Sequence, residues 1–537
     1  MKQLGLDTQS FEKLRTRQCV YVDKTEDICR MITSGRVYFL SRPRRFGKSL
    51  LVSTLEAIFK GKKALFEGTY IYDKREWEEY PVIKIDWTGI NHSTPEKMEE
   101  SLALYLSNIA DNYQITLRSK SAVDYFRDLI EALRKKTGKN VVILIDEYDK
   151  PVTAHLSDPH LEPVKTAMHS FYQIMKGSDE YLQFIFLTGV SKFSGLSIFS
   201  ALNSPQDITL REEYATICGY TQEELESNFS EYIDSAAERL KMTREYLLDR
   251  IRYWYNGYTW DGKTAIYNPL STMKFFQIRH FANYWFNTGT PTFLMNIIQR
   301  RNSVDTVLYP LVVDESVFDE YDPANISEIP LLFQTGYLTI KKMELTPEGL
   351  AEYTLGVPNM EVNKSLLTHL LKAFGKYPDG RYIDELRKTM QQQITGCDES
   401  GFANSLEMMI ATVPYDLHIP HEHYYHSLML IWMRLLGFRV RAEEHNNLRS
   451  SDTVWEQPGL TVIAEVKFSV EKAPAKKYPA PKSIDTLLNE AINQIHERRY
   501  CNKYPGKVLL LGIAFSGKQP GCKMELVCRE TEESCTS

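Results

Sequence analysis

Four stretches of the chain carry residues whose types and spacing could do chemistry. In SRPRRFGKS (41–49) the strand-like VYFL runs into a loop ending in Gly47, Lys48 and Ser49, and an apolar helix follows. Backbone N–H groups at a helix N-terminus can hold phosphate oxygens, a Lys48 ammonium can neutralise them, and the Ser49 hydroxyl can ligate Mg²⁺. The first Gly of the pattern G-x-x-x-x-G-K-[ST] is replaced by Arg42. Lys48 is expected to be exposed in an empty loop, so that its removal would leave the fold intact. In ILIDEYD (143–149) an apolar strand ends in Asp146, which can hold a metal shell, and Glu147, which can orient or deprotonate a water. Asp149 could assist the metal or pair with Lys150 or an arginine. A third apolar strand, QFIFL, ends near Thr188, Ser191 and Lys192, positions suited either to sensing a terminal phosphate or to capping the strand end.

Near the other end, TVIAEVKFS (461–469) puts Glu465 and Lys467 two residues apart on a strand, hence on one face, with Ala464 and Val466 on the other. Asp452 stands 13 residues before Glu465, where a hairpin could bring the two together. Two carboxylates and a backbone carbonyl, that of Val466, could hold Mg²⁺ or Mn²⁺, and the Lys467 ammonium could orient a water or stabilise a pentacoordinate phosphate. Glu443 and Glu444 are alternative candidates for an additional carboxylate. E-x-K also occurs on solvated strand faces. Residues 465–510 hold nine Lys or Arg against five acids, a net of +4 that suits a phosphate backbone or a solvated loop. HEHYYH (421–426) lacks the H-E-x-x-H spacing because Tyr425 stands where the second His should be.

The elements that must position these residues follow from periodicity. Apolar runs at Val37–Leu40, Val82–Asp86, Val141–Ile145 and Gln183–Leu187 alternate with amphipathic stretches at Lys48–Phe59, Pro95–Asn112, Val123–Lys136 and Leu161–Lys176. That alternation is the pattern of a parallel sheet covered by helices. From about 221 to 400 the pattern is mostly helical and opens with Thr221 and Glu224 as a capping box. Its aromatic clusters, WYNGYTW and YWFNTGT, read as core and turns, or as base-stacking rings. After TGCDESG come helix Tyr424–Leu436, strands Phe438–Ala442 and Leu460–Phe468, helix Ser483–Tyr500 and strand Lys507–Phe515, a separate α/β unit.

With 537 residues, 43% of them hydrophobic and 25% charged, the chain has material for several folded domains. A net charge of −6 excludes a uniformly basic nucleic-acid coat. The N-terminus is polar and no uncharged run that is apolar throughout reaches the ~18–20 residues of a membrane span, so a cytoplasmic protein without membrane contact is expected. Eight Cys occur without C-x-x-C pairs, which indicates neither a disulfide framework nor a thiolate zinc site.

RPRRFGKSLLVSTLEAIF, LIDEYDKPV, LTGVSKFS with SIFSALNSPQDITL, YATICGYTQEEL, YNGYTW with YNPLS, and GVPNMEV occur in order along the chain. Together they resemble the bacterial AAA-ATPase-like proteins that carry a C-terminal PD-(D/E)XK nuclease domain. The resemblance implies an α/β chain in three parts: a P-loop NTPase sheet with helices (1–220), a helical middle or lid (221–400) and a restriction-endonuclease-like α/β domain (401–537). It implies that Arg42, Pro43, Arg44, Arg45, Phe46, Gly47, Lys48 and Ser49 form the phosphate loop as found in that family, Arg42 included. ATP would be the nucleotide and Mg²⁺ its metal, with Ser49 and Asp146 on the metal, Glu147 activating water and Thr188 near the terminal phosphate. Asp452, Glu465 and Lys467, with the Val466 carbonyl, would form the nuclease site. YYHSLMLIWMRLLGFRV and AINQIHERRY, with Gln494 and Tyr500, resemble its flanking elements. The family's Gly-Arg-x-Asp block is here LRSSD, without Gly and with Arg449 one place too far from Asp452. The implied partner is nucleic acid, DNA first, and a homo-oligomer is compatible. The alternative is an ATP-driven switch whose nuclease-like domain binds nucleic acid or a partner without cutting.

Overall fold

The protein is described here by a computed structural model covering residues 1–117, 119, 121–156, 158–193, 202, 205–285, 311–318, 328–374, 380–411, 429, 439–442, 453–457, 460–469, 482–497, 506–516 and 519–528. The chain divides into two compact units, Met1–Thr290 with Pro310–Asn363, and Pro291–Tyr309 with Lys364–Ser537.

The first unit is built on a five-stranded sheet of β1 (Val37–Ser41), β2 (Val82–Asp86), β3 (Val141–Asp146), β4 (Leu182–Gly189) and β5 (Gln206–Asp207), in spatial order β2-β3-β4-β1-β5 and parallel throughout. β1 and β3 are buried along their whole length, as strands covered on both faces must be. The covering helices end where local chemistry says they should. Thr94 caps Pro95–Asn112, and Ser121 caps Ala122–Thr137, which stops at Gly138 with φ 70°. β1 and β3 are separated by β4, so the loops after all three strands open along one edge of the sheet.

The middle region begins with the expected capping box, Thr221 and Glu224 bonding reciprocally at the start of Gln222–Asn228. Helices Ser230–Leu240, Arg244–Tyr255 and Pro269–Ile278 pack around Phe229, Ile233, Leu247, Ile251, Tyr255 and Phe275. The middle is not wholly helical. β6 (Leu311–Asp314), β7 (Thr339–Leu345) and β8 (Ala351–Gly356) form an antiparallel sheet in the order β6-β8-β7. Lys341 and Lys342 are adjacent in IKKMEL, and most of β7 is exposed, which hides the period-2 signal of a half-buried strand.

The second unit holds a mixed sheet of β9 (Arg439–Ala442), β10 (Thr453–Gln457), β11 (Leu460–Ser469), β12 (Lys507–Ser516) and β13 (Gln519–Cys528), in the order β13-β12-β11-β10-β9. β11 and β12 are parallel and the other pairs antiparallel. The crossover between the parallel strands carries helix Ile484–Glu497, whose Ile492 and Ile495 pack on Val454, Ile463, Val508 and Leu510. β10 and β13 are additions to the strands read from the sequence. Among the described residues no helix is long and apolar enough to cross a membrane.

Candidate functional site

The loop after β1 owes its shape to backbone conformation. Arg45 at φ 69° and Gly47 at φ 96° both lie in the left-handed region, and Gly47 caps helix Lys48–Phe59. Only glycine adopts that geometry without cost. Arg42 has no such requirement, so the missing first Gly of the pattern is not missed here. Arg44 to Ser49 line a cavity of about 380 Å³ together with Asp86, Glu147 and Lys150. The rest of its lining includes the more apolar Tyr21, Val22, Ile217, Tyr220, Pro269 and Met273. Ser49, Asp86 and Asp146 line a second cavity of about 280 Å³, and Ser49 and Asp86 belong to both.

Within this site the sequence-predicted residues meet. The Ser49 hydroxyl hydrogen-bonds the Asp146 carboxylate, whose pKa burial raises to about 6. Asp86 ends β2 in register with Asp146, adding a carboxylate that the sequence reading left out although it also closes an apolar strand. Glu147 holds φ 51°, a strained conformation for a non-glycine residue, and its Oε1 lies 3.9 Å from Lys48 Nζ. Lys48 differs from expectation. It is 4% exposed, and its ammonium donates to the carbonyls of Arg42 (3.0 Å) and Pro43 (3.2 Å), so it holds the loop closed. Its truncation therefore disturbs the loop as well as any phosphate contact.

Three other assignments change. Arg42 is wholly buried and lines a separate cavity of about 320 Å³ with Pro43. Its backbone N–H is bonded to the Gly189 carbonyl, which sends the side chain to the carbonyls of Ser41, Thr209 and Tyr214 and to the ring of Trp260, 4.1 Å away. Burial without a carboxylate partner pulls its pKa down to about 10. Thr188 is also fully buried and donates its hydroxyl to the Leu40 carbonyl at 2.7 Å, which matches a strand cap rather than a phosphate sensor. Asp149 turns to the backbone N–H groups of Val190 and Ser191, not to Lys150, and burial with the nearby Glu147 charge raises its pKa to about 6. Gly189 is required beside it, because a Cβ there would meet Asp149 Oδ1 at 2.4 Å.

Residues distant in the chain brace the loop from behind. Phe46 packs edge-on against Tyr258 and Trp260, and the Trp285 indole N–H donates to the Arg44 carbonyl at 3.0 Å. Glu361, wholly buried, accepts the backbone N–H groups of Tyr284 (2.6 Å) and Trp285 (2.8 Å), and burial raises its carboxyl to about pKa 7. YNGYTW and GVPNMEV thus serve the loop through packing. The rings of Tyr255, Tyr258 and Trp260 are buried and not available for base stacking. No local pattern could have revealed the Glu361 contact.

In the second unit Glu465 and Lys467 share the face of β11 that helix Ile484–Glu497 covers. Glu465 is 1% exposed, and Lys467 Nζ donates to its Oε1 at 2.7 Å and to Gln494 Oε1 at 2.6 Å. Val466, on the other face, is buried. β10 and β11 form the expected hairpin with Thr453 opposite Ala464. Asp452, Glu443, Glu444, Tyr500 and the His cluster at 421–426 lie outside the described residues.

Comparison with known proteins agrees with the two units' folds. Residues 5–199 match the AAA-ATPase-like family, described as a predicted AAA-ATPase, and residues 420–525 match the PD-(D/E)XK nuclease superfamily. A protein of Azotobacter chroococcum mcd 1, named only as an uncharacterized protein in the vnfD 5′ region, is 32% identical over 96% of this chain and 96% of its own length. This chain belongs to that family of bacterial AAA-ATPase-like proteins with a C-terminal PD-(D/E)XK nuclease domain. A solved structure of Drosophila ORC bound to GC-rich DNA and Cdc6 matches at 10% identity and a TM-score of 0.23, over 80% of this chain and 62% of that one, and carries no argument.

Proposed function

We propose that the protein binds and hydrolyses ATP in the cavity beside Lys48 and cuts nucleic-acid phosphodiesters, DNA first, at Glu465 and Lys467 in a reaction that the ATP state controls. The observation that carries the ATP half is the meeting of Ser49 with Asp146 and of Lys48 with Glu147 at the strand ends. A hydroxyl bonded to a buried carboxylate is the donor set a hard, oxygen-seeking Mg²⁺ takes, so Ser49 and Asp146 fit that ion. Mg²⁺ there would supply charge to the β- and γ-phosphate oxygens. The N–H groups of Gly47 to Ser49 bind phosphate, and Lys48 leaves its loop carbonyls to neutralise it. Glu147 orients the attacking water and takes its proton. The more apolar lining at Tyr21, Val22, Ile217 and Met273 receives the base.

For the nuclease half, Glu465 and Asp452, with the Val466 carbonyl, would hold Mg²⁺ or Mn²⁺, which would supply a lowered pKa for bound water. The Glu465–Lys467 contact supports this, since it pairs a buried carboxylate able to hold the metal with an ammonium able to stabilise charge on a phosphate. The domain boundaries we adopt are 1–220, 221–400 and 401–537. The second reading, a switch that binds without cutting, draws on the LRSSD departure and on a Lys467 ammonium already tied to two side chains.

The deciding experiment is cleavage of labelled single- and double-stranded DNA and RNA by the full chain with Mg²⁺ or Mn²⁺, with and without ATP, beside Lys467→Ala and Lys48→Ala. Cleavage that needs Lys467 and changes with ATP is expected. ATP hydrolysis with no metal-dependent cleavage of any substrate selects the switch.

A further inference from the structure

A cluster of metal-ligating side chains lies outside both sites, one short helix beyond Glu147. Helix Lys150–Ala154 ends at His155, and helix Leu161–Gly177 starts after His160. In the turn between them, the ligand atoms of His155, Asp158 and His160 all lie within 4.8 Å of one another.

The state of His155 sets this cluster apart from a chance grouping. The residue is 6% exposed, and its Nε2 is 2.6 Å from the His92 carbonyl oxygen. A carbonyl only accepts, so Nε2 carries a proton, and in the neutral ring Nδ1 then presents its lone pair. That Nδ1 is buried, has no hydrogen-bond partner, and faces Asp158 Oδ2 across 3.6 Å. With the ring neutral, a buried Nδ1 lone pair and a carboxylate oxygen are two acceptors facing each other, an arrangement that a Lewis acid between them relieves. An imidazole that gives its far N–H to a backbone carbonyl while presenting the other nitrogen is the arrangement that orients a metal-bound His. His160 Nδ1 stands 2.6 Å from Asp158 Oδ1 on the solvent side.

We infer that His155 Nδ1, His160 Nδ1 and the Asp158 carboxylate bind one borderline divalent transition ion of the Zn²⁺ class, with a fourth position open to water. Two imidazoles and one carboxylate favour Zn²⁺, Co²⁺ or Ni²⁺ over Mg²⁺, which prefers oxygen. Ligand atoms around a tetrahedral Zn²⁺ lie roughly 3.3 Å apart, so the widest separation in the set must close by up to about 1.5 Å. Asp158 and His160 can supply that movement because both side chains are over 40% exposed. On binding, the proton between His160 and Asp158 leaves to solvent and the Nδ1 lone pair takes the metal. The bound ion would tie the end of helix Lys150–Ala154 to the loop that carries His92, stiffening the segment that leads out of Glu147. This inference does not depend on the ATPase reading.

The test uses the full chain stripped with a chelator, without nucleotide and with excess Mg²⁺ to fill oxygen-rich sites, titrated with Co²⁺ and read by its d–d absorption. One equivalent should bind in wild type and be displaced by Zn²⁺. His160→Ala and Asp158→Asn should each weaken binding by ~10-fold or more while leaving the metal-free melting temperature unchanged. His155→Ala is the less informative variant, because a buried ring is lost. Absence of the Co²⁺ band in wild type, or wild-type affinity in either exposed-residue variant, overturns the inference.

Discussion

The two candidate sites are built by different means. The N-terminal one hangs on loops at the ends of β1, β2 and β3 and depends on backbone geometry: two left-handed residues in the phosphate loop, a strained Glu147, and a lysine whose ammonium is held by loop carbonyls. The C-terminal one sits in mid-strand, where period-2 alternation alone puts Glu465 and Lys467 on one face and a single helix supplies Gln494. A loop-built site has to be braced by distant residues, because a loop has no ladder of its own. A strand-built site inherits its rigidity from the sheet. Substitutions far from the chemistry should therefore reach the first site and spare the second.

The sharpest separation comes from one substitution at each site. Glu147→Gln should lower ATP hydrolysis by ~10²–10⁴-fold with nucleotide still bound. Lys467→Ala should lower cleavage by ~10²–10³-fold with ATP hydrolysis intact. Steady-state hydrolysis and cleavage assays on both variants read this, and loss of ATP hydrolysis in Lys467→Ala would merge the two sites. Next in size is Arg42→Ala, which strands three carbonyls and should cost ~3 kcal/mol or more in thermal or denaturant unfolding of the first unit. A large fall in ATP affinity at unchanged stability would instead return Arg42 to the nucleotide.

Glu361 offers a test by pH. Its carboxyl is raised from the ordinary 4.5 to about 7 by burial, so the folded chain keeps a proton that the unfolded chain has already lost. Stability from this group is therefore full at acid pH and declines as pH rises from about 4.5 to about 7, with no further change above. Glu361→Gln should flatten that decline in melting temperature relative to wild type across the same range. A parallel offset at every pH would show that Glu361 does not titrate there. The smallest effect expected is from Trp285→Phe, which removes one hydrogen bond to the Arg44 carbonyl and should cost ~1 kcal/mol. It should appear as a few-fold weaker nucleotide binding, measured by titration, with cleavage by the preformed second site unchanged in the absence of ATP.

Much of this was legible from local pattern. All four principal strands of the first sheet and the helices between them follow the sequence boundaries to within a few residues, because uniformly apolar runs and capping residues act over a few neighbours. β5 and β7 escaped for local reasons too: β5 is two residues long and β7 is largely exposed. Asp86 could have been read from VIKID as a further strand-end carboxylate. Lys48 could not have been read as buried, since only the folded loop supplies the carbonyls of Arg42 and Pro43 that enclose its ammonium.

By itself the sequence determined the order of elements, the two sets of reactive residues and the family to which they point, since period, residue type and short spacing are local properties. Tertiary structure decided what each residue near the phosphate loop does. Thr188 was diverted to a carbonyl of neighbouring β1 and Arg42 to the carbonyls of Ser41, Thr209 and Tyr214, and Glu361 and Trp285 were brought to the back of the loop. The Trp285–Arg44 bond joins residues 241 apart in sequence and the Arg42–Tyr214 bond residues 172 apart. Such partners are chosen by which backbone groups folding leaves unsatisfied in the interior, and that is settled only when the chain has packed.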